Sequence, residues 1–227
     1  MKRLNIYRWM IFTMGLMVMA LGFAFMIRAE LGSAPWDVLH IGLTLHFGLT
    51  VGTWSILIGF LVLMLTFFLT REWPKLGAFL NMIFLGVFID IFLWMMPTPD
   101  SLMGRWTFLI IGILVIGYGI GLYIAPKCGA GPRDILMLAL TKRTGWKVQW
   151  VRSMMEVLVL LIGWYLGGPI FIGTLMFCFG IGTVVGFSIP HCQRLVDFIL
   201  ERREIYENLN KGSIRVNDYD GISKKSR

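Results

Sequence analysis

Apolar residues dominate six stretches of the chain, each about as long as a helix that crosses a bilayer: residues 9–27, 51–69, 76–96, 106–124, 148–166 and 170–189. Polar and helix-breaking clusters separate them. Arg71-Glu72-Trp73-Pro74-Lys75 closes the second, Pro97-Thr98-Pro99-Asp100 the third, and Gly167-Gly168-Pro169 makes a tight turn between the fifth and sixth. The pattern predicts six membrane-spanning helices. Two further segments, 29–50 and 126–147, are too long for turns and too short to cross. Each carries Gly-x-x-Pro-x-Asp, which is helix-start chemistry. Proline loses nothing at the first helical position, and an aspartate two residues on lies beside the orphan N–H groups and the positive end of the helix dipole. Each segment is therefore expected to hold a short half-helix, re-entrant or lying at the interface, of about 15 Å from Val38 to Phe47 in the first.

Composition strengthens the membrane reading. Of 227 residues, 57% are hydrophobic and 15% charged, and mean hydropathy is +0.74. Too little polar surface remains to coat a water-facing shell. The net charge of +8 then belongs to loops facing anionic lipid headgroups, and nucleic acid is not an expected partner. With the N-terminus placed in the cytoplasm, eighteen of the 21 Lys and Arg fall on the cytoplasmic side, so both termini are expected there. The first run, 19 residues from Trp9 to Ile27, is long for a signal-peptide core and reads as a span. Cys128, Cys178 and Cys192 show neither a disulfide framework nor metal-ligand spacing, and no cofactor motif is visible.

The chain also repeats itself. A shift of 97 positions lays Gly15, Gly22, Gly32, Pro35 and Asp37 on Gly112, Gly119, Gly129, Pro132 and Asp134, and with one residue removed Gly77 and Gly86 fall on Gly173 and Gly182. Glycines, a helix-breaking proline and an acid are paired, which apolar drift does not produce. A three-span unit followed by its copy must cross the membrane in the opposite sense, so the expected fold is all-α, two inverted three-helix repeats. Residues 1–97 form the first repeat, 98–190 the second, and 191–227 a cytoplasmic amphipathic and basic tail, with Leu195, Phe198, Ile199 and Ile205 placed to lie on the membrane surface.

Ionisable groups at membrane depth are functional candidates, because an unpaired charge in hydrocarbon is costly. Glu156 falls near the centre of the fifth run, Arg152 one turn before it on the same face, and Asp90 past the middle of the third. Arg152 and Glu156 either pair structurally or handle substrate or protons. Asp37 and Asp134 either cap their helices or serve as ligands, with Gly32, Pro35, Gly129 and Pro132 shaping the two segments. Trp36 and Arg133 read as interface anchors. His40 and His46 point to opposite faces and make no metal site. Arg28 and Glu30 read as headgroup and loop charges. Gly117/Gly121 and Gly182/Gly186 offer smooth faces for helix packing.

The tandem motifs Leu-Gly-x-x-Pro-Trp-Asp-Val-Leu-His (31–40) and Cys-Gly-Ala-Gly-Pro-Arg-Asp-Ile-Leu (128–136), with Arg8-Trp9 and Gly15, resemble those of the bacterial YczE/YitT-type membrane proteins. The resemblance covers all six runs and implies a multi-pass protein of the bacterial plasma membrane; it brings no substrate or catalytic residue. Two functions are expected on architectural grounds. One is a transporter or channel for a small solute, because inverted repeats with broken half-helices and sparse midplane acids are what such carriers are built from. The alternative is a membrane scaffold or regulator of another pathway, with self-association into a homo-oligomer left open. An enzyme is not expected, since no nucleophile, metal or nucleotide motif is present.

Overall fold

The computed structural model describes the backbone of residues 2–223 and the side chains of 6–147 and 150–200. Among these residues the fold is entirely helical, in the order α1 (Lys2–Arg28), α2 (Pro35–Phe47), α3 (Val51–Thr70), α4 (Leu76–Met95), α5 (Leu102–Ile124), α6 (Pro132–Thr144), α7 (Val148–Tyr165) and α8 (Ile172–Ser223). Five helical segments are long and apolar enough to cross a membrane: Ile6–Arg28, Val51–Thr70, Leu76–Met95, Leu102–Ile124 and Ile172–Leu200. The fifth predicted span, residues 148–166, is the helix α7, which is not among them. It has only 18 residues, and Gln149, Arg152 and Glu156 dilute its apolar character. Apolar side chains cover the outside of the bundle, as Leu57, Phe60, Leu61 and Phe68 do on α3, a surface suited to lipid.

Local chemistry sets the helix ends. Pro35 and Pro132 open α2 and α6, and Gly48 and Gly145, both at φ 72°, close them. Thr50 caps α3 by accepting from the Thr53 N–H, and Ser101 caps α5 by accepting from that of Gly104. Pro190 does not end α8, which runs on through it to Ser223. A proline deletes one backbone hydrogen bond of its helix, and packing just beyond it offsets the loss. Cys192, Val196 and Leu200, four residues apart, bury against Tyr7, Ile11, Leu122 and Ala125. The face expected to lie on the membrane surface is turned away from this contact, with Leu195 and Phe198 exposed. Ile205 lies outside the described side chains.

Glycines bring α1 and α5 together as the central pair of the bundle, with Phe12, Leu16, Phe23, Leu109 and Ile116 in the core around them. A Cβ on Gly15 would strike the Tyr123 backbone, and one on Gly22 would stand 2.6 Å from Ile116 N. Moving seven residues up α1 moves the contact seven residues down α5, so the helices are antiparallel. The same contacts recur with roles exchanged: a Cβ on Gly112 would stand 3.1 Å from Met26 N and one on Gly119 2.5 Å from Met19 N, each position being 97 from its counterpart. Gly77 likewise abuts the Cys128 carbonyl while Gly173 abuts that of Leu31. Around this centre α4 packs on α1 as α8 packs on α5, and α2 packs on α7 as α6 packs on α3.

The largest departure from this correspondence is at α3 and α4. α3 and α4 close tightly at Gly52 and Gly86, where a Cβ on either would strike the other's carbonyl oxygen. α7 and α8 form no comparable interface. Gly182 and Gly186 on α8, expected to be packing positions, have no atom within 4 Å of where a Cβ would stand. The sequence supplies the reason. Gly52 corresponds to Gln149, and Asp90, whose carboxylate binds α3, corresponds to Gly186, so the second half lacks both the small residue and the acid that close the first.

Candidate functional site

The N-terminal ends of α2 and α6 meet at the middle of the bundle, beside a cavity of about 190 Å³ that all eight helices line. Their second residues, Trp36 and Arg133, stand 97 positions apart and touch across it, the guanidinium carbon 4.5 Å from the indole centroid. This is a cation–π contact in a largely apolar setting. It corrects the expectation of interface anchors, since Trp36 is only 7% exposed. Neither helix is capped by its N-cap side chain, because Ala34 and Gly131 have none to offer. The first intrahelical bonds run from Val38 N–H to the Ala34 carbonyl and from Ile135 N–H to that of Gly131. The N–H groups just before them, at residues 36–37 and 133–134, therefore leave two positive dipole ends facing the centre.

Asp37 and Asp134 stand at these ends but not as caps. Asp37 is 1% exposed, and among the described residues neither of its oxygens takes part in a hydrogen bond. Its near neighbour is His40, with Nδ1 at 3.8 Å from the carboxylate, also 1% exposed and with both ring nitrogens unpartnered. Asp134 accepts a hydrogen bond of 2.9 Å from the Tyr123 hydroxyl. The charges of Asp37, Asp134 and Glu156 all act on Arg133. Arg152 and Glu156 reach the cavity from α7 as an ion pair at 3.2 Å. Asn81, 4% exposed with its amide nitrogen unpartnered, and Ser55 complete the polar lining.

The structure thus brings Asp134, Glu156, Arg152, Pro35 and Pro132 to one cavity, with Asp37 outside the lining but 3.8 Å from His40, which is part of it. It places the other candidates elsewhere. Asp90 sits at the start of α3, accepting from Gly52 N–H at 2.8 Å and from the Thr50 hydroxyl. Gly32 and Gly129, at φ 104° and 155°, pack against Thr174 and Gly77. Arg28 donates to the Leu93 carbonyl, and Glu30 pairs with Arg105 at 3.0 Å, so both tie the bundle together. Sequence reasoning missed Trp36, His40, Asn81 and Tyr123 as cavity residues. For His40 a signal existed, since it lies one turn after Asp37 on the same helix face.

The Arg152–Glu156 pair is partly open, 52% and 27% exposed, unlike a charge pair sealed in a core. A double-mutant cycle of Arg152→Gln and Glu156→Gln, followed by thermal unfolding in detergent, should give a coupling energy of about 1 kcal/mol or less. A coupling of several kcal/mol would show the pair to be sealed and structural. Adjoining the cavity, a groove of about 930 Å³ shares Ile124, Asp134 and Met137 with it and is fringed by Lys75, Lys127, Lys142 and Arg143.

A model of a family of unknown function, DUF6198, matches residues 6–190. The chain is 44% identical over 204 residues to the uncharacterized membrane protein YczE of Bacillus subtilis, covering 89% of this chain and 95% of that one. It is 36% identical over 180 residues to an uncharacterized protein of Haemophilus influenzae, covering 79% and 82%, and 32% identical over 206 residues to the B. subtilis protein YyaS, covering 88% and 100%. No solved structure matches. With its match to the family model across all eight helices and its likeness to YczE along nearly the whole of both chains, this membrane protein belongs to the DUF6198 family.

Proposed function

We propose that the chain is a small-solute carrier of the bacterial plasma membrane, with six spans, two inverted three-span repeats and both termini in the cytoplasm. The observation that carries this reading is the central cavity, where two half-helix N-termini converge among charged side chains with helices on every side. The exchange of contact partners between positions 97 apart supports the inverted repeat, and the lysines and arginines of the inner loops support the orientation. In this reading α7 crosses as well, as the fifth of six spans, turning its polar face to the cavity, and α2 and α6 are re-entrant.

Alternating access follows from the largest break in the symmetry. The outer end is sealed by α3 on α4, while α7 stands off α8 at the inner end, so the cavity opens toward the cytoplasm beside the basic groove. The opposite state requires α7 to close on α8 and α3 to leave α4. Counterflow of a panel of small anionic, cationic and zwitterionic solutes by the purified protein in liposomes tests the function. A folded protein that exchanges none of them would leave the scaffold reading.

Orientation has its own test. In a background with the native cysteines replaced by alanine, Ser101→Cys should react with an impermeant thiol reagent added to intact cells, and Ser223→Cys should not. Labelling at both positions would remove the even number of spans and the inverted repeat with it.

A further inference from the structure

Among the described residues, the formal side-chain charges around the cavity do not balance. Three carboxylates, Asp37, Asp134 and Glu156, act on Arg133, and Arg152 is the one other guanidinium in the lining, so one negative charge is left over. Of the helices against α2, α7 contributes Arg152 and Glu156 and α3 no charged residue. From α6 come Arg133 and Asp134, and from α5 the Tyr123 hydroxyl, already bound to Asp134. The two helix N-termini offset only part of that negative charge, because a dipole end carries a fractional charge whose effect fades within a turn, and a net charge inside a membrane bundle is unfavourable and draws in a positive one. The place for it is marked by orphaned atoms: both oxygens of Asp37 and both nitrogens of His40, nearly sealed from solvent and 3.8 Å apart.

We propose that this cavity is a site for one exchangeable positive charge, held either as a proton on the Asp37–His40 pair or as the head of a small organic cation such as a quaternary ammonium, the two excluding each other. The proposal rests on the carrier reading and names its substrate class and coupling ion. An anion would deepen the imbalance and require two protons, and a zwitterion would leave it unchanged. A monocation closes it. The rest of the wall suits the apolar body of such a cation: Met19, Phe23, Met82, Met155 and Phe177 offer polarizable thioethers and ring faces. The volume, about 190 Å³, exceeds the ~150 Å³ in which a protein cavity holds benzene. When the cation enters, the proton leaves His40 and Asp37 for the buffer, so charge is conserved and the two gradients are coupled in exchange.

The test uses the full-length protein purified in detergent, in weak buffer, titrated with tetraethylammonium chloride. Below the titration of the pair, binding should release close to one proton per protein, read by an indicator dye. Its Kd should rise about tenfold for each unit of pH below the titration of the pair and level off above it. Asp37→Asn should weaken binding by about tenfold or more and abolish its pH dependence. His40→Gln keeps the carboxylate, so it should still bind. The His40 ring resonances should report the same titration in the wild type, and the cation should suppress it. Binding that releases no proton and is constant from about pH 5.5 to about pH 8.5 overturns the shared charge. A folded protein that ignores tetraethylammonium but catalyses counterflow of anions or zwitterions overturns this inference alone. One that binds no cation and moves no solute overturns the carrier reading as well.

Discussion

Gly119→Leu should destabilise the protein by about 3 kcal/mol, lowering its melting temperature in detergent by several degrees or preventing its accumulation. The reason is the axis of the bundle. A Cβ at residue 119 would stand 2.5 Å from Met19 N and 2.6 Å from its Cα, and main chain cannot swing aside as a flexible side chain does. The helices would have to separate, and with them the packing of Phe12, Leu16, Leu109 and Ile116. In lipid, close van der Waals contact is most of what holds two apolar helices together. Gly182→Leu is the internal control. It is also a helical glycine, but no atom lies within 4 Å of its Cβ position, so its effect should stay within about 0.5 kcal/mol. Equal losses at the two positions would mean that helix content, rather than the α1–α5 contact, limits stability.

Asp90→Ala should loosen the closed end between α3 and α4. Its carboxylate accepts from Gly52 N–H and the Thr50 hydroxyl and so satisfies an orphan donor at the start of α3. Losing a charge-assisted pair at a partly exposed site costs about 1.5 kcal/mol, which raises the population of the opened arrangement about tenfold. The measurement is the rate at which an impermeant thiol reagent, added from outside, modifies a cysteine placed at Ser55. That position is 6% exposed and lines the cavity. The rate should rise about tenfold with Asp90→Ala and return toward its original value with Asp90→Glu, if the longer carboxylate still reaches Gly52. An unchanged rate would show that this contact does not hold the end closed.

The helices were legible because a bilayer imposes a simple rule on a chain: about 20 apolar residues for each crossing, with breakers between. Pro35 and Pro132 marked the two short helices for an equally local reason, the fixed φ and missing N–H of proline. Spacing made Arg152 and Glu156 a pair, and 3.2 Å separates them in the fold. Depth alone could not say what Asp90 binds. Its carboxylate is satisfied by residues about 40 positions earlier, a contact that no local pattern announces. The pattern divides the second repeat from the tail at residue 190, but helix α8 continues through Pro190 because Cys192, Val196 and Leu200 find a partner surface on α1 and α5.

Periodicity, breaker residues and internal repetition, all properties of neighbouring positions or of positions at a constant offset, were enough to establish a helical membrane protein with paired short helices. They were silent on where those helices end in space. That the two N-termini meet, that Arg133 lies on Trp36, and that Asp37 and His40 are sealed without partners depends on the antiparallel crossing of α1 and α5, which puts residues about a hundred positions apart into contact. The open interface between α7 and α8 was likewise beyond reach of the repeat, because two similar sequences can pack differently when the glycine and the acid that close one copy are missing from the other. Such close approach depends on atoms that only the assembled bundle brings together.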